Sequence, residues 1–206
     1  MMLFLAAALF IGGALCLKID RATAAYFREQ LHRPFWQFAW KITNWAKGLP
    51  WIVASLLIYI AVQGMMAARS ETPLLRTVSD YSLALLISFV VGSVVLHTIK
   101  IFLGRRRPRD DFEHGLYGFK FFTWELQYDS FPSGHSMTIL CVAVVLSAVM
   151  PTWALLWLLL AGCLALTRAL MTAHFLSDVL VGAAIGILAA RETLAYGFPQ
   201  LTPGWF

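Results

Sequence analysis

Six stretches of almost unbroken apolar sequence, 1–17, 50–68, 79–103, 134–150, 152–172 and 174–191, limit this chain more than anything else in it. A helix needs about 20 mostly apolar residues to cross a bilayer, with a range of roughly 17–25. Of the 206 residues, 60% are hydrophobic and only 13% are charged, against about 45–50% and 25% in a soluble domain. The excess is therefore surface meant for lipid rather than a larger core. Period-2 alternation is absent, so helices and not a barrel satisfy the backbone. The expected fold is all-α: one integral membrane domain, 1–206, built as a bundle of six transmembrane helices.

The first stretch has no basic n-region and no clear cleavage site before Lys18, so it reads as a retained span and not a signal peptide. The fourth and fifth are divided only by "MPTW", where Pro151 stops one helix and can start the next. Arg168, His174 and Asp178 interrupt the apolar pattern between the fifth and sixth. Two further segments are neither span nor plain loop. Within 18–49, Phe35, Phe38, Ile42 and Trp45 recur at three- and four-residue steps, with Lys41, Asn44 and Lys47 on other faces. That pattern suits an amphipathic helix lying in the headgroup layer. The segment 104–133 is too charged for hydrocarbon and too long for a simple connection, and its aromatic content argues against disorder. In the last stretch Asp178, Gly182 and Gly186 share one helical face, and the two glycines would admit a close neighbour; glycine is also simply common in membrane helices.

The net charge of +5 needs a partner, yet a chain so largely embedded has no broad face for nucleic acid. Anionic lipid or a phosphorylated substrate fits better. Cys16, Cys141 and Cys163 each sit alone in an apolar run, which argues against a disulfide framework or a zinc site and leaves core side chains as the default.

The parity of six spans places 18–49, 104–133 and the 168–178 junction on one side of the membrane. That side collects the unusual polar residues: Lys100 and Arg105–Arg107 at the end of the third span, Ser133, Gly134 and His135 at the start of the fourth, and Arg168, His174 and Asp178. Charges at a hydrocarbon boundary must face one another or a wet cavity, and one shared pocket is the simplest arrangement. Lys100, Arg107 and Arg168 can surround a tetrahedral dianion. Ser133 and Gly134 at a helix N-terminus add a hydroxyl and backbone N–H donors. His174 and Asp178 are four residues apart on one face, so a carboxylate can orient an imidazole nucleophile, which leaves His135 as general acid. Carboxylates are too few there for a magnesium cage, and two histidines are too few for zinc, so no metal or other cofactor is required. Arg105, Arg106 and Arg109 read as headgroup anchors, His97 as a packed or hydrogen-bonded residue, and His32 and His114 as solvated.

These residues carry a resemblance. "KIFLGRRRP" (100–108), "PSGH" (132–135) and "TRALMTAHFLSD" (167–178) resemble, in order, the three signatures of the type-2 phosphatidic acid phosphatase superfamily. One departure is Thr167, where the third signature usually opens with Ser. The resemblance implies a six-helix membrane enzyme in which His174 forms a phosphohistidine, His135 protonates the leaving group, and Asp178 orients His174. Lys100, Arg107, Ser133, Gly134 and Arg168 would bind the phosphate. The substrate would be a lipid phosphomonoester or pyrophosphate entering from the bilayer: phosphatidylglycerophosphate, phosphatidate, polyprenyl pyrophosphate or a lipid A phosphate.

Two rivals share most of the inventory. A phosphotransferase would use the same site with another acceptor than water. A non-catalytic lipid-binding or transport protein would keep the cations but has no use for a His–Asp pair, and a transporter would favour sites near the midplane. A soluble vanadium haloperoxidase shares the signatures but not six apolar spans. Orientation is contested: 13 of the 16 Lys and Arg lie on the site side, with only Arg69, Arg76 and Arg191 opposite, which favours a cytoplasmic site. The resemblance implies the exoplasmic face, in bacteria the periplasmic face of the inner membrane, and that placement is adopted because many of the charges have a substrate to serve.

Overall fold

The computed structural model describes residues 1–68 and 71–206; Arg69, counted above on the far side, lies outside the described residues. Every expected apolar stretch is a helix: α1 (Met2–Cys16), α4 (Gly48–Ala68), α5 (Pro73–Phe102), α7 (Gly134–Val149), α8 (Ala154–Leu170) and α9 (Leu176–Glu192). The chain is thus all-α and built for a membrane. The start of α5 falls at Pro73 and not 79, because Thr72 Oγ1 accepts the Leu75 N–H at 3.3 Å and Pro73 opens the first turn. Among the described residues, four helical segments are long and apolar enough to cross a bilayer, and a fifth is available if α1 and the following α2 (Asp20–Gln30), bent by 87°, count as one.

At 16 residues, α7 is shorter than a span, and burial explains it. Twelve of its residues are buried, because α5, α8 and α9 pack around it, so it meets protein and little lipid. Contact with α9 is backbone to backbone. A Cβ placed on Gly182 would sit 2.3 Å from the Ser133 carbonyl oxygen, and one on Gly186 would sit 2.2 Å from that of Met137. Small residues drive helix association in lipid, where no hydrophobic effect separates one apolar surface from another. The glycine face anticipated at 178–186 is therefore a packing face. Gly186→Ala is expected to destabilise by about 1–3 kcal/mol through overpacking. Gly162→Ala, with nothing within 4 Å of its new methyl, should be nearly silent. Thermal unfolding of both variants in detergent reads the difference.

The two unusual segments are folded. Residues 18–49 form α2, α3 (Pro34–Ile42) and a 3-10 turn at Thr43–Ala46. The periodic helix read through Trp45 thus stops at Ile42, with Phe35, Phe38 and Trp40 exposed and Ala39 buried. Segment 104–133 is a cap over one end of the bundle. Its β1 (Leu103–Arg105) pairs antiparallel with β2 (Phe119–Phe121), and α6 (Pro108–His114) lies between them. Gly104 is required there, since a Cβ would fall 2.2 Å from Thr123 Cγ2 and 2.8 Å from the Lys120 carbonyl. Of the three cysteines only Cys141 is a core side chain; Cys16 is half-buried and Cys163 exposed.

Candidate active site

The three polar clusters converge at one end of the bundle. The Ser133 N–H donates to the Asp178 carbonyl at 3.0 Å, which ties the start of α7 to the start of α9. Lys100, at the end of α5, donates from Nζ to the backbone carbonyl of Asp129 in the cap. His135 lies within electrostatic reach of Arg168, His174, Arg107 and Lys47.

His174, in the turn between α8 and α9, is buried. Its Nδ1 lies 2.8 Å from the Ser130 carbonyl oxygen. A carbonyl only accepts, so Nδ1 must carry the proton and Nε2 is left with its lone pair. Asp178 sits further off, 3.7 Å from Nδ1. It acts through the same segment: Ser130 Oγ donates to Asp178 Oδ2 at 2.6 Å, and the Phe175 N–H donates to that oxygen at 2.9 Å, capping α9. The i, i+4 spacing leaves the two side chains 3.7 Å apart, and the direct partner of the ring is Ser130. Nothing in a single serine two residues before "PSGH" announced this role. Burial pushes the His174 pKa below its ordinary value; the nearby Asp178 carboxylate opposes that shift, and Arg107 and Arg168 add to it. The imidazole is therefore neutral at pH 7.

Arg105 corrects an expectation. Read from sequence as a headgroup anchor, it is fully buried. Nη1 donates to Asp178 Oδ1 at 2.6 Å and to Ser177 Oγ at 2.7 Å, while Nη2 donates to Asp20 Oδ2 at 2.8 Å and Tyr117 Oη at 3.1 Å. Asp20 in turn accepts the Ser177 N–H at 3.0 Å and the Ser177 hydroxyl. The guanidinium carbon lies 4.1 Å from the centroid of Phe175 and 5.0 Å from that of Phe119. Burial works against the charge, yet Asp178 and Asp20 more than restore it, and the pKa stands above the ordinary arginine value. Sequence offered no way to separate this arginine from its neighbours. Arg109 is largely exposed, and Arg106 stacks over Tyr128 at 4.5 Å. His97 bonds through Nδ1 to the Ser93 carbonyl at 2.8 Å, as a hydrogen-bonded residue should.

The cations differ in how far they are already satisfied. Arg107 makes a two-pronged contact with the Asp129 carboxylate, Nε to Oδ1 and Nη2 to Oδ2, both 2.9 Å. Arg168 donates from Nη1 to Thr43 Oγ1 at 3.2 Å, and its Nε is buried without a partner among the described residues. Thr167 Oγ1 lies 2.6 Å from the Leu164 carbonyl and 2.9 Å from Thr43 Oγ1. Donation to that carbonyl leaves it to accept from Thr43, so this hydroxyl supports Arg168 and does not face a ligand. Ser133 is likewise inward, its Oγ 3.0 Å from Ser136 Oγ and 3.4 Å from the Ser136 nitrogen. Since its N–H also serves Asp178, the donors left at this helix start are the N–H groups of Gly134 and His135. With Lys100, Arg107 and Arg168 around them, they can receive a compact polyanion.

The model of the PAP2 superfamily matches residues 80–200, more than half of the chain and all three clusters. The chain belongs to that superfamily. Among PAP2 relatives, the lipid A 1-phosphatase of Rhizobium johnstonii is 29% identical over 139 residues, covering 63% of this chain and 57% of the relative. That of Rhizobium etli is 28% identical over 139 residues, covering 63% and 60%. The matched stretch is thus under two thirds of either relative's own length. The fold resembles the crystal structure of a Bacillus subtilis PAP2-type phosphatidylglycerolphosphate phosphatase (TM-score 0.64, 21% identity, 98% of each chain). It also resembles that of Aquifex aeolicus LpxE (TM-score 0.58, 19% identity, 86% of this chain and 96% of that one).

Proposed function

We propose that this protein is a membrane lipid phosphatase that removes a phosphate from a lipid headgroup without a metal ion. The carrying observation is His174: a buried imidazole with Nδ1 held as donor to Ser130 and Nε2 free, in the field of Arg107 and Arg168. In this reading Nε2 attacks phosphorus and the bond to the lipid oxygen breaks. His135 gives that oxygen a proton, and a phosphohistidine remains. Water then attacks the phosphohistidine and His135 takes its proton, which releases inorganic phosphate and restores both rings. The incoming dianion offsets the surrounding positive charge, so His135 can hold the proton it hands over. Lys100, Arg107, Arg168 and the N–H groups at Gly134 stabilise charge on the transferring group, usually the largest catalytic contribution. Asp178 orients His174 through Ser130.

The bundle is read as six crossings, α7 included, with α2 and α3 in the headgroup layer. A groove of about 440 Å³ is lined by Asn44, Trp45, Pro50, Trp51 and Ala54; Asn44 follows Thr43, the partner of Arg168, and the groove supports sideways entry from lipid. The matches to lipid A 1-phosphatases make a lipid A 1-phosphate the first substrate to try, with the site on the periplasmic face of an inner membrane. Purified protein in detergent with EDTA should release phosphate from at least one of lipid A, phosphatidylglycerophosphate, phosphatidate and polyprenyl pyrophosphate. No release from any of the four removes the assignment.

The pH dependence has a definite sign. Protonation of Nε2 abolishes the nucleophile, and the His174 pKa is held below its ordinary 6.5. On the acid side kcat/KM should therefore persist below pH 6.5 and decline only as pH falls through the lowered value. An acid limb centred above 6.5 would contradict this.

A further inference from the structure

The two-pronged contact of Arg107 with Asp129 points to a role for a carboxylate that none of the three signatures contains. Asp129 lies in the cap, just ahead of Ser130, and its side chain is 38% exposed. Burial works to raise its pKa, but Arg107 and then Lys100 hold it below the usual carboxylate range, so it is an anion at any working pH. It engages two of the cations expected to bind phosphate: Arg107 through both carboxylate oxygens at 2.9 Å, and Lys100 through the backbone carbonyl. A planar carboxylate on a guanidinium fork presents two oxygens in the arrangement that a phosphate would. Arg168, by contrast, has no carboxylate partner among the described residues and keeps a buried, unpartnered Nε.

We infer that Asp129 is an internal competitor for the phosphate subsite, a displaceable counterion that neutralises Arg107 in the empty site and weakens the hold on released phosphate. This rests on the reading of the site as a phosphate-binding cup. Three cations and a free helix start would retain a dianion strongly, and inorganic phosphate is both a product and a fragment of the substrate. A half-exposed carboxylate beside Arg107 returns as phosphate leaves, so the cations need not face one another bare. Uniform tight binding of a product does nothing for turnover, and a competing anion reduces it at the ground state. Because the carboxylate sits in the cap, its side chain can swing out while the membrane helices stay fixed.

The direction of the effect separates this role from a structural one. If Asp129 merely steadies Arg107, removing its charge weakens phosphate binding; if it competes, removal tightens it. The inhibition constant of inorganic phosphate is to be measured on the full chain in detergent with EDTA, for wild type, Asp129→Asn and Asp129→Ala. Competition predicts a constant about 5–30-fold lower in both variants, the range spanned by roughly 1–2 kcal/mol of relieved pairing. It also predicts burst kinetics, as product release becomes slow. An unchanged or higher constant in a folded variant overturns the inference while leaving the phosphatase assignment intact. Absence of any phosphate release by the wild type would instead remove the assignment itself. Should Asp129→Asn fail to fold, Asp129→Ala decides by the same sign. If neither folds, Asp129 is a structural residue and the inference is overturned.

Discussion

His174→Ala should lose at least about 10⁴-fold in turnover while remaining folded, because removing a covalent nucleophile removes the step itself. The structural loss is moderate: the Ser130 carbonyl loses its buried donor, at about 1–3 kcal/mol. The carbonyl left behind sits beside the Ser130–Asp178 contact, which does not depend on the ring. Wild type quenched during turnover of a ³²P-labelled lipid phosphate should carry label in an acid-labile, alkali-stable form, as expected of a phosphoramidate, and His174→Ala should carry none. His135→Ala bears on the second ring. With a lipid alkoxide as leaving group its loss should be large, and with an activated phenyl phosphate it should shrink, because that leaving group needs no proton. Equal phosphate release by His174→Ala and wild type would sink the mechanism outright.

Arg105→Met should cost about 3–5 kcal/mol of stability and most of the activity, although Arg105 is placed where it touches no substrate. The reason is the pair of carboxylates it joins. Asp20 and Asp178 are fully buried, and Arg105 is the cation that both of them contact. Breaking a buried ion pair by removing one partner leaves an uncompensated charge, and here it leaves two. Cooperative unfolding followed by tryptophan fluorescence in detergent gives the first number, and turnover gives the second. Arg105→Lys should recover little, because one ammonium cannot reproduce a fork that meets Ser177, Asp178, Asp20 and Tyr117 together. The double variant Arg105→Met/Asp20→Asn should regain part of the stability by removing one orphaned charge, without regaining the activity that depends on Asp178. A single variant within about 0.5 kcal/mol of wild type would restore the reading of Arg105 as a surface anchor.

Much of this was legible in one dimension. Composition and six apolar runs were enough for a helical membrane protein, since lipid leaves the backbone no other way to satisfy itself across those lengths. The signatures singled out His135, His174, Asp178, Lys100 and Arg168 as candidates, and the i, i+4 step that sets His174 beside Asp178 is local geometry that a sequence carries with it. Gly182 and Gly186 were visible as a face, but only α7 lying against them showed what the face was for.

Contacts between segments far apart in the chain were decided by the tertiary structure alone. In "RRRP", three adjacent arginines look alike, yet one is fully buried on two carboxylates 85 and 73 residues away, the next stacks on Tyr128, and the third clasps Asp129. Their fates differ because Arg105 closes β1, paired with Phe119 of β2, while Arg106 and Arg107 follow the strand on the way into α6. Ser130 belongs to the same category, reaching His174 and Asp178 from 44 and 48 residues away. A sequence states which groups exist and which lie a turn apart; which charge meets which is settled only when distant segments share one desolvated space, where each must find a partner.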